Sequence, residues 1–137
     1  MAADVWSCPS FTELRREGLA AERWNLLHPG EKPRASYVAQ CLAPTKGPVI
    51  ASTDYIRTFA DQIREFVPRR YKVLGTDGFG RSDSRDNLRR FFEVNRHYVV
   101  LAALKGLAED GEVPAAKVAE ALKKYGIDAE KPAPWTV

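Results

Sequence analysis

A strand, a glycine-rich turn and the start of a helix follow one another between residues 71 and 94, and this order constrains the fold more than any other feature. The apolar run at residues 71–74 is typical of a buried strand. Glycines at positions 75, 78 and 80 follow it, and then Leu88, Phe91 and Phe92 recur at helical spacing. Parallel α/β proteins use this order to present a loop beyond the carboxyl end of a sheet.

The loop that follows the strand is dense in charge. One interpretation is a plain solvated turn in which the glycines only supply positive φ angles. The other is an interaction or anion-binding surface, because four arginines gather around a predicted helix start, at positions 81, 85, 89 and 90. Here Asp83 can cap the helix. We expect local charge-assisted hydrogen bonds to fix the loop and present it to a neighbouring domain or subunit. The candidate interface or anion site consists of Asp77, Phe79, Arg81, Asp83 and Arg85.

The amino-terminal half of the chain alternates predicted strands and helices. Residues 4–8 read as a short strand ended by Pro9. A helix with a capping box formed by Ser10 and Glu13 then runs to Leu27, with a break or bend near Gly18. Residues 37–42 fit either a helical turn or a strand. Residues 48–51 are continuously apolar, as in a buried parallel strand.

Three more helices are predicted after this strand. An apolar face sustained from Ile56 to Val67 indicates a helix over 54–67, capped by Ser52 or Thr53 and stopped by Pro68. The segment 97–109 is apolar nearly all round, which predicts a buried helix. Residues 114–125 form a third helix that ends at Gly126 in a left-handed cap, and the tail 128–137 is expected to be extended.

This alternation predicts a three-layer α/β/α fold with a mostly parallel sheet. A length of 137 residues is that of a single domain, 1–137. The net charge of +3 is spread along the chain and argues against a nucleic-acid partner. No apolar run is long enough for a membrane span, and no signal peptide is evident, so we expect no membrane association and a cytoplasmic location.

The cysteines and histidines give no metal signature. Cys8, His28, Cys41 and His97 are separated by 20, 13 and 56 residues, which is not the close spacing of zinc ligands. Both cysteines are better interpreted as free buried thiols. His28 lies at a predicted helix end, and His97 opens the helix that follows.

Five segments together resemble a known family. The loop segment 75–85 resembles a near-invariant stretch in the carboxyl-terminal domain of the homodimeric bacterial pyruvate dehydrogenases, which are transketolase-like enzymes. Four other segments stand in the family's order: Ser10–Leu14, Glu22–Asn25 with Leu27–Pro29, Ala51–Tyr55 and Tyr98–Val100.

The resemblance implies a transketolase-like carboxyl-terminal domain without catalytic residues, inactive by itself. In the family, a strand and a helix precede the segment matched by residues 4–8, so we expect that this first strand-helix unit is lacking. Residues 1–45 should then be weakly held. The implied parent is an oxidoreductase of pyruvate metabolism, joining glycolysis to the pyruvate dehydrogenase complex.

In the family, thiamine diphosphate and magnesium are bound by the amino-terminal and middle domains. The parent decarboxylates pyruvate and reductively acetylates the lipoyl group of a partner acetyltransferase. The implied partners of this chain are those two domains, the second subunit of a homodimer and the acetyltransferase.

No motif in this chain supplies a catalytic, cofactor or metal site. The glycine loop runs G-x-x-G-x-G, whereas a dinucleotide-binding turn needs G-x-G-x-x-G, and no nucleophile elbow or P-loop occurs. The alternative function is a free-standing flavodoxin-like module that binds a phosphate or another anion through the loop Gly75–Ser84.

Overall fold

The computed structural model describes residues 2–137. Over that range the chain forms six α-helices, two β-strands and two single 3-10 turns. In chain order the elements are α1 (Phe11–Leu27), α2 (Tyr37–Leu42), β1 (Val49–Ser52), α3 (Arg57–Asp61), a 3-10 turn (Arg64–Phe66), β2 (Tyr71–Leu74), α4 (Arg85–Phe91), α5 (Arg96–Glu109), α6 (Ala116–Tyr125) and a 3-10 turn (Pro134–Thr136).

The sheet of the described residues consists of β1 and β2, which are parallel and in register from Val49 opposite Tyr71 to Ser52 opposite Leu74. Hydrogen bonds at both ends close the ladder. The Val49 amide donates to the Arg70 carbonyl at 2.9 Å, and the Thr53 amide donates to the Leu74 carbonyl at 3.0 Å. The predicted strands at 48–51 and 71–74 are therefore confirmed, the first shifted by one residue.

Each face of the sheet is covered by its own hydrophobic core. Tyr71 and Val73 face one core, in which Phe66 is buried and α1 and α2 contribute partly buried side chains. Leu74 faces the other, which it shares with Phe92 and residues of α5. Because successive side chains of a strand point to opposite faces, two short strands serve both cores. The predicted three-layer α/β/α architecture with a parallel sheet is thus confirmed.

Helix α1 begins as the sequence predicts, but it does not bend. Ser10 is the N-cap, and its side chain accepts a hydrogen bond from the Glu13 amide at 3.2 Å. The expected break near Gly18 is wrong, because α1 runs unbroken through 17 residues. At Gly18 the helix passes directly over the ring of Phe66, where a side chain would not fit. The glycine therefore serves close packing and not a bend.

The predicted strand at residues 4–8 is wrong. This segment has no regular structure, and Val5 and Trp6 are 95% and 58% exposed. A strand is held by a hydrogen-bonded neighbour, and neither β1 nor β2 pairs with this segment. Only Cys8 at its end is partly buried, and burial raises the pKa of its thiol.

The helix predicted over 54–67 is shorter than expected. It consists of α3, five residues long, followed by the 3-10 turn at Arg64–Phe66. Ile63 separates the two with φ −100° and ψ 5°, outside helical geometry. The apolar face still points inward at Ala60, Ile63 and Phe66, whereas Ile56 and Phe59 are nearly half exposed. Neither Ser52 nor Thr53 caps α3; its N-cap position is Ile56.

The remaining elements match the sequence prediction in part. The segment 37–42, for which two interpretations were open, is the helix α2. Helix α6 ends at Gly126 in the predicted left-handed conformation, with φ 59°. Helix α5 is half-buried and not enclosed, with only Gly106 fully buried. The tail is not extended to its end, because it closes in a 3-10 turn with Pro134 fully buried.

The outer edge of β2 is covered by a side chain. The Arg64 guanidinium donates to the Tyr71 carbonyl at 2.9 Å, which satisfies an acceptor that faces away from β1. Across residues 2–137, none of the helices combines the length and the apolar character that crossing a membrane requires.

Candidate functional site

The glycine-rich loop leaves β2 in close contact with the backbone before α3. A Cβ atom on Gly75 would lie 2.7 Å from the Arg57 amide nitrogen, so only glycine fits here. The Thr76 amide donates to the Tyr55 carbonyl at 2.9 Å, and the Thr76 hydroxyl donates to the Asp54 carbonyl at 2.8 Å. The first two loop residues are thus fixed to the segment that follows β1.

Asp77 caps the start of α3 from the loop. Its Oδ2 accepts a hydrogen bond from the Arg57 amide, the first amide of α3, at 3.2 Å. The same oxygen lies 3.3 Å from Arg57 Nε, an ion pair without the alignment of a hydrogen bond. An aspartate at a helix start satisfies a free amide and suits the positive end of the dipole. Asp77 therefore holds α3 and the loop together.

Gly78 brings the carboxyl-terminal tail onto the loop. Its φ angle is +115°, and a Cβ atom there would lie 2.6 Å from the Pro134 carbonyl oxygen. Next to Pro134, the ring of Trp135 stacks under the Arg57 guanidinium, whose central carbon lies 4.4 Å from the ring centroid. Loop, α3 and tail thus meet around Arg57.

Asp83 and Ser84 together form the start of α4. The N-cap is Ser84 and not Asp83 as predicted: the Ser84 hydroxyl accepts from the Asn87 amide at 3.4 Å. One residue earlier, Asp83 Oδ1 accepts from the Asn87 side chain at 2.9 Å and from the Ser84 amide at 2.6 Å. These bonds, the one from Asn87 foremost, lower the pKa of the Asp83 carboxyl.

The remaining predicted site residues differ in their surroundings. The Arg81 guanidinium stacks over the ring of Phe91 at 4.1 Å. Arg85 lies on the exposed first turn of α4, and Phe79 is 79% exposed at the tip of the loop. Arg89 forms an ion pair with Asp54 at 3.3 Å. Because Arg89 and Arg90 lie in the last turn of α4, the predicted gathering of four arginines around its start is wrong for these two.

Exposed apolar side chains surround the loop. The rings of Tyr55 and Phe59 contact each other in a tilted arrangement with 5.0 Å between centroids, and Tyr55 is 66% exposed. Trp135, beside Gly78, is 48% exposed. We call Tyr55, Phe59, Phe79 and Trp135 the aromatic rim. Sequence analysis missed Arg57 and most of this rim. The segment 55–59, the glycine loop and the tail carry these residues, and the three meet only in the folded chain.

A polar cleft of about 720 Å³ opens beyond the carboxyl end of β1. Parts of β1, α4, α5 and α6 line it, and its charged side chains include Arg89, Arg90 and Arg96. The five predicted site residues all lie outside this lining. Only the arginines after Asp86 could have indicated this cleft from the sequence. His97 and Tyr125 come to lie in its wall only when α5 packs against α6.

Within residues 2–137, no group of three or more histidine, cysteine, aspartate or glutamate side chains is placed to hold a metal ion.

Comparison with known proteins agrees with this architecture. A family model described as the transketolase-like TK C-terminal domain matches residues 1–95. The pyruvate dehydrogenase E1 component of Pseudomonas aeruginosa is 67% identical over 132 residues, and that of Cupriavidus necator is 65% identical over 135 residues. The Escherichia coli (strain K12) protein of the same description is 55% identical over 132 residues.

These matches cover 96%, 98% and 96% of the chain, respectively, but only 15% of each relative. The chain therefore spans about one seventh of the length of these relatives. The family match, together with the two cores around a parallel sheet, gives the identity of the domain: the chain belongs to the transketolase-like carboxyl-terminal domain family and is homologous to the carboxyl-terminal part of bacterial pyruvate dehydrogenase E1 components.

Proposed function

We propose that residues 1–137 act as one non-catalytic carboxyl-terminal domain of a pyruvate dehydrogenase. The observation that carries this proposal is the identity of 67% and 65% to two pyruvate dehydrogenase E1 components over nearly the whole chain. The parent would be a cytoplasmic, homodimeric oxidoreductase of the pyruvate dehydrogenase complex. It would use thiamine diphosphate and magnesium, held by its amino-terminal and middle domains, to decarboxylate pyruvate and reductively acetylate the lipoyl group of the acetyltransferase.

The aromatic rim is the surface that would contact the remainder of the parent or its second subunit. Aromatic side chains as exposed as Tyr55 and Phe79 are typical of interfaces, where burial contributes most of the binding free energy. Asp77 and Arg57 beneath them keep the loop in place. In this proposal Asp77, Arg81 and Asp83 order the loop, and Phe79 at its tip and Arg85 at the start of α4 project toward the neighbour.

Substitution of Phe79 separates an interface role from a folding role. Because this side chain is 79% exposed, Phe79→Ala should leave the unfolding free energy of the 137-residue chain nearly unchanged. In a full-length pyruvate dehydrogenase that carries this domain, the same substitution should weaken dimerisation or activity while cofactor affinity is preserved. Arg85→Ala is the polar counterpart. If both variants leave dimerisation and activity of the full-length enzyme intact, the rim is not an interface.

The alternative, a flavodoxin-like anion-binding module that uses the loop Gly75–Ser84, makes a different prediction. Titration of the chain with flavin mononucleotide and with magnesium-thiamine diphosphate, followed by tryptophan fluorescence, tests it directly. Trp135 lies beside the loop and should report such binding. Binding abolished by Arg81→Ala, but retained in Arg90→Gln, would favour the alternative over the structural-domain proposal.

A further inference from the structure

The cleft beyond β1 carries more positive charge than its own ion pairs neutralise. Three arginines and two aspartates are among its lining residues. Only Arg89 has a carboxylate partner, Asp54, at 3.3 Å. Within residues 2–137, no carboxylate lies within 4.0 Å of Arg90 or Arg96. Asp86, the second lining aspartate, is also outside these ion pairs, so two guanidinium groups and one carboxylate remain and the cleft keeps a net positive charge that attracts an anion.

A histidine ring lies beside Arg96. The Arg96 Nε donates to His97 Nε2 at 3.4 Å, so this ring presents an acceptor to the arginine. The His97 ring stacks on Tyr125 of α6 with 4.6 Å between centroids and 8° between planes, which fixes its orientation.

Two backbone amides at the start of α5, those of His97 and Tyr98, are already occupied. Asn95 Oδ1 accepts from the His97 and Tyr98 amides at 3.0 and 3.2 Å. The anion would therefore be held by side chains, and not by the end of the helix. Arginine forks match the planar edge of a phosphate or carboxylate group and bind it with two parallel hydrogen bonds.

A second, smaller cleft continues from the first and indicates which anion fits. Its volume is about 290 Å³, and it shares five lining residues with the larger cleft, Asn87, Arg90, Asn95, His97 and Tyr125. Its other walls include the apolar side chains of Phe91, Tyr98 and Ile127. Asp128 and Lys131 also line it. Arg90 and His97 thus lie between the larger cleft and a smaller one with an apolar wall. Ligand sites commonly combine a few polar groups with such an apolar wall.

We propose that the two clefts form one binding site for a small organic phosphomonoester. The phosphate group would lie against Arg90 and Arg96 with His97 beside it, and the organic group would enter the chamber lined by Phe91 and Tyr98. A phosphomonoester carries close to two negative charges at neutral pH. It should therefore bind to the two unpaired arginines more tightly than a carboxylate ligand, which carries one. This site is separate from the glycine loop, and it does not depend on the activity of the parent.

Titration of the 137-residue chain with three probes tests the proposal. Phenyl phosphate offers both parts of the ligand, inorganic phosphate only the anion, and benzoate the same ring with a carboxylate. Amide chemical shifts of His97, Tyr98 and Tyr125 should move with phenyl phosphate at lower concentration than with either other probe. Equal or tighter binding of benzoate overturns the phosphomonoester assignment, and unmoved shifts with all three overturn the site.

Matched arginine variants assign the contact. Arg90→Gln and Arg96→Gln should each weaken phenyl phosphate binding about tenfold, the usual effect of one hydrogen bond to a charged group. Arg15→Gln removes the same charge from an exposed position of α1 outside both clefts and should leave the affinity unchanged. Equal weakening in all three variants means general charge attraction and contradicts the site. Far-ultraviolet circular dichroism of each variant checks its fold. If a variant does not fold, the chemical-shift titration of the unsubstituted chain still tests the site.

Discussion

Gly18 of α1 lies so close to Phe66 that a Cβ atom on the glycine would come within 2.5 Å of the ring. This contact joins α1 to the turn that follows α3, on one face of the sheet. It explains why a helix of 17 residues tolerates a glycine at its centre, where glycine normally costs about 1 kcal/mol relative to alanine.

Gly18→Ala should destabilise the chain although alanine is the better helix former. The added methyl group would overlap the Phe66 ring, and overpacking of a core costs about 1–3 kcal/mol. Gly30→Ala is the matched control, because a Cβ atom at Gly30 would have no neighbour within 4 Å. Urea unfolding of both variants measures the difference. A Gly18→Ala variant as stable as the unsubstituted chain would mean that α1 is not held against this turn.

Asp77 should contribute to stability as the cap of α3. Asp77→Ala removes the acceptor for the Arg57 amide and the partner of its guanidinium, and loss of an N-cap costs about 0.5–2 kcal/mol. Asp4→Ala removes the same charge from the exposed amino-terminal segment and should have almost no effect. Chemical denaturation compares the two. If the two variants are equally stable, the position of Asp77 at the start of α3 contributes nothing, and the capping role is contradicted.

Gly78→Ala should release the tail from the loop. The φ angle of Gly78 is +115°, and the Pro134 carbonyl oxygen lies 2.6 Å from the place that a Cβ atom would take. Because no side chain fits there, the loop or the tail must move. In a chain with Trp6 and Trp24 replaced by phenylalanine, the emission of Trp135 should shift to longer wavelength. Gly80→Ala, with open space around it, is the control. Unchanged emission in Gly78→Ala would contradict the loop–tail contact.

Tyr71 should make the fold sensitive to alkaline pH. Burial, with smaller contributions from Asp61 and Cys8, raises the pKa of its hydroxyl, which donates to the Ala60 carbonyl at 2.8 Å. A raised pKa in the folded state means that the stabilisation is complete below the unfolded pKa of about 10 and is lost as pH rises toward the folded value.

Tyr71→Phe isolates this effect. The variant should lose roughly 0.5–1.5 kcal/mol at neutral pH, the net value of one hydrogen bond. The difference in unfolding free energy between the unsubstituted chain and the variant should then shrink as the pH rises above about 10. Lysines titrate in the same range but are common to both proteins. A difference that stays constant to high pH would contradict a buried, protonated Tyr71.

Local patterns predicted the elements that local interactions determine. Ser10 and Gly126 lie where short-range capping rules place them, and the apolar run at 71–74 is the strand β2. The predicted strand at 4–8 failed because strand formation depends on a distant hydrogen-bonded neighbour, which no local pattern reveals. The prediction at Gly18 failed for the same reason: only the position of Phe66 shows why glycine is needed.

The candidate site divides in the same way. Asp83 was identified from its local spacing, and its bonds to Ser84 and Asn87 are local. Arg57 and Trp135 are far from the loop in sequence, so their contacts with it could not be predicted. The cleft escaped prediction because Arg96 and His97 meet Arg90 only after α4 and α5 fold onto the sheet.

Exchange of this domain into a relative tests the central proposal most directly. The chain replaces the corresponding 132 residues of the Pseudomonas aeruginosa pyruvate dehydrogenase E1 component, to which it is 67% identical. A second chimera with Gly18→Leu, whose side chain would overlap Phe66, is the control for a domain that cannot pack. Pyruvate-dependent acetylation of the lipoyl group is measured in both. The account predicts activity close to that of the unexchanged enzyme in the first chimera and a large loss in the second. A first chimera that is folded, dimeric and cofactor-bound but inactive would contradict it.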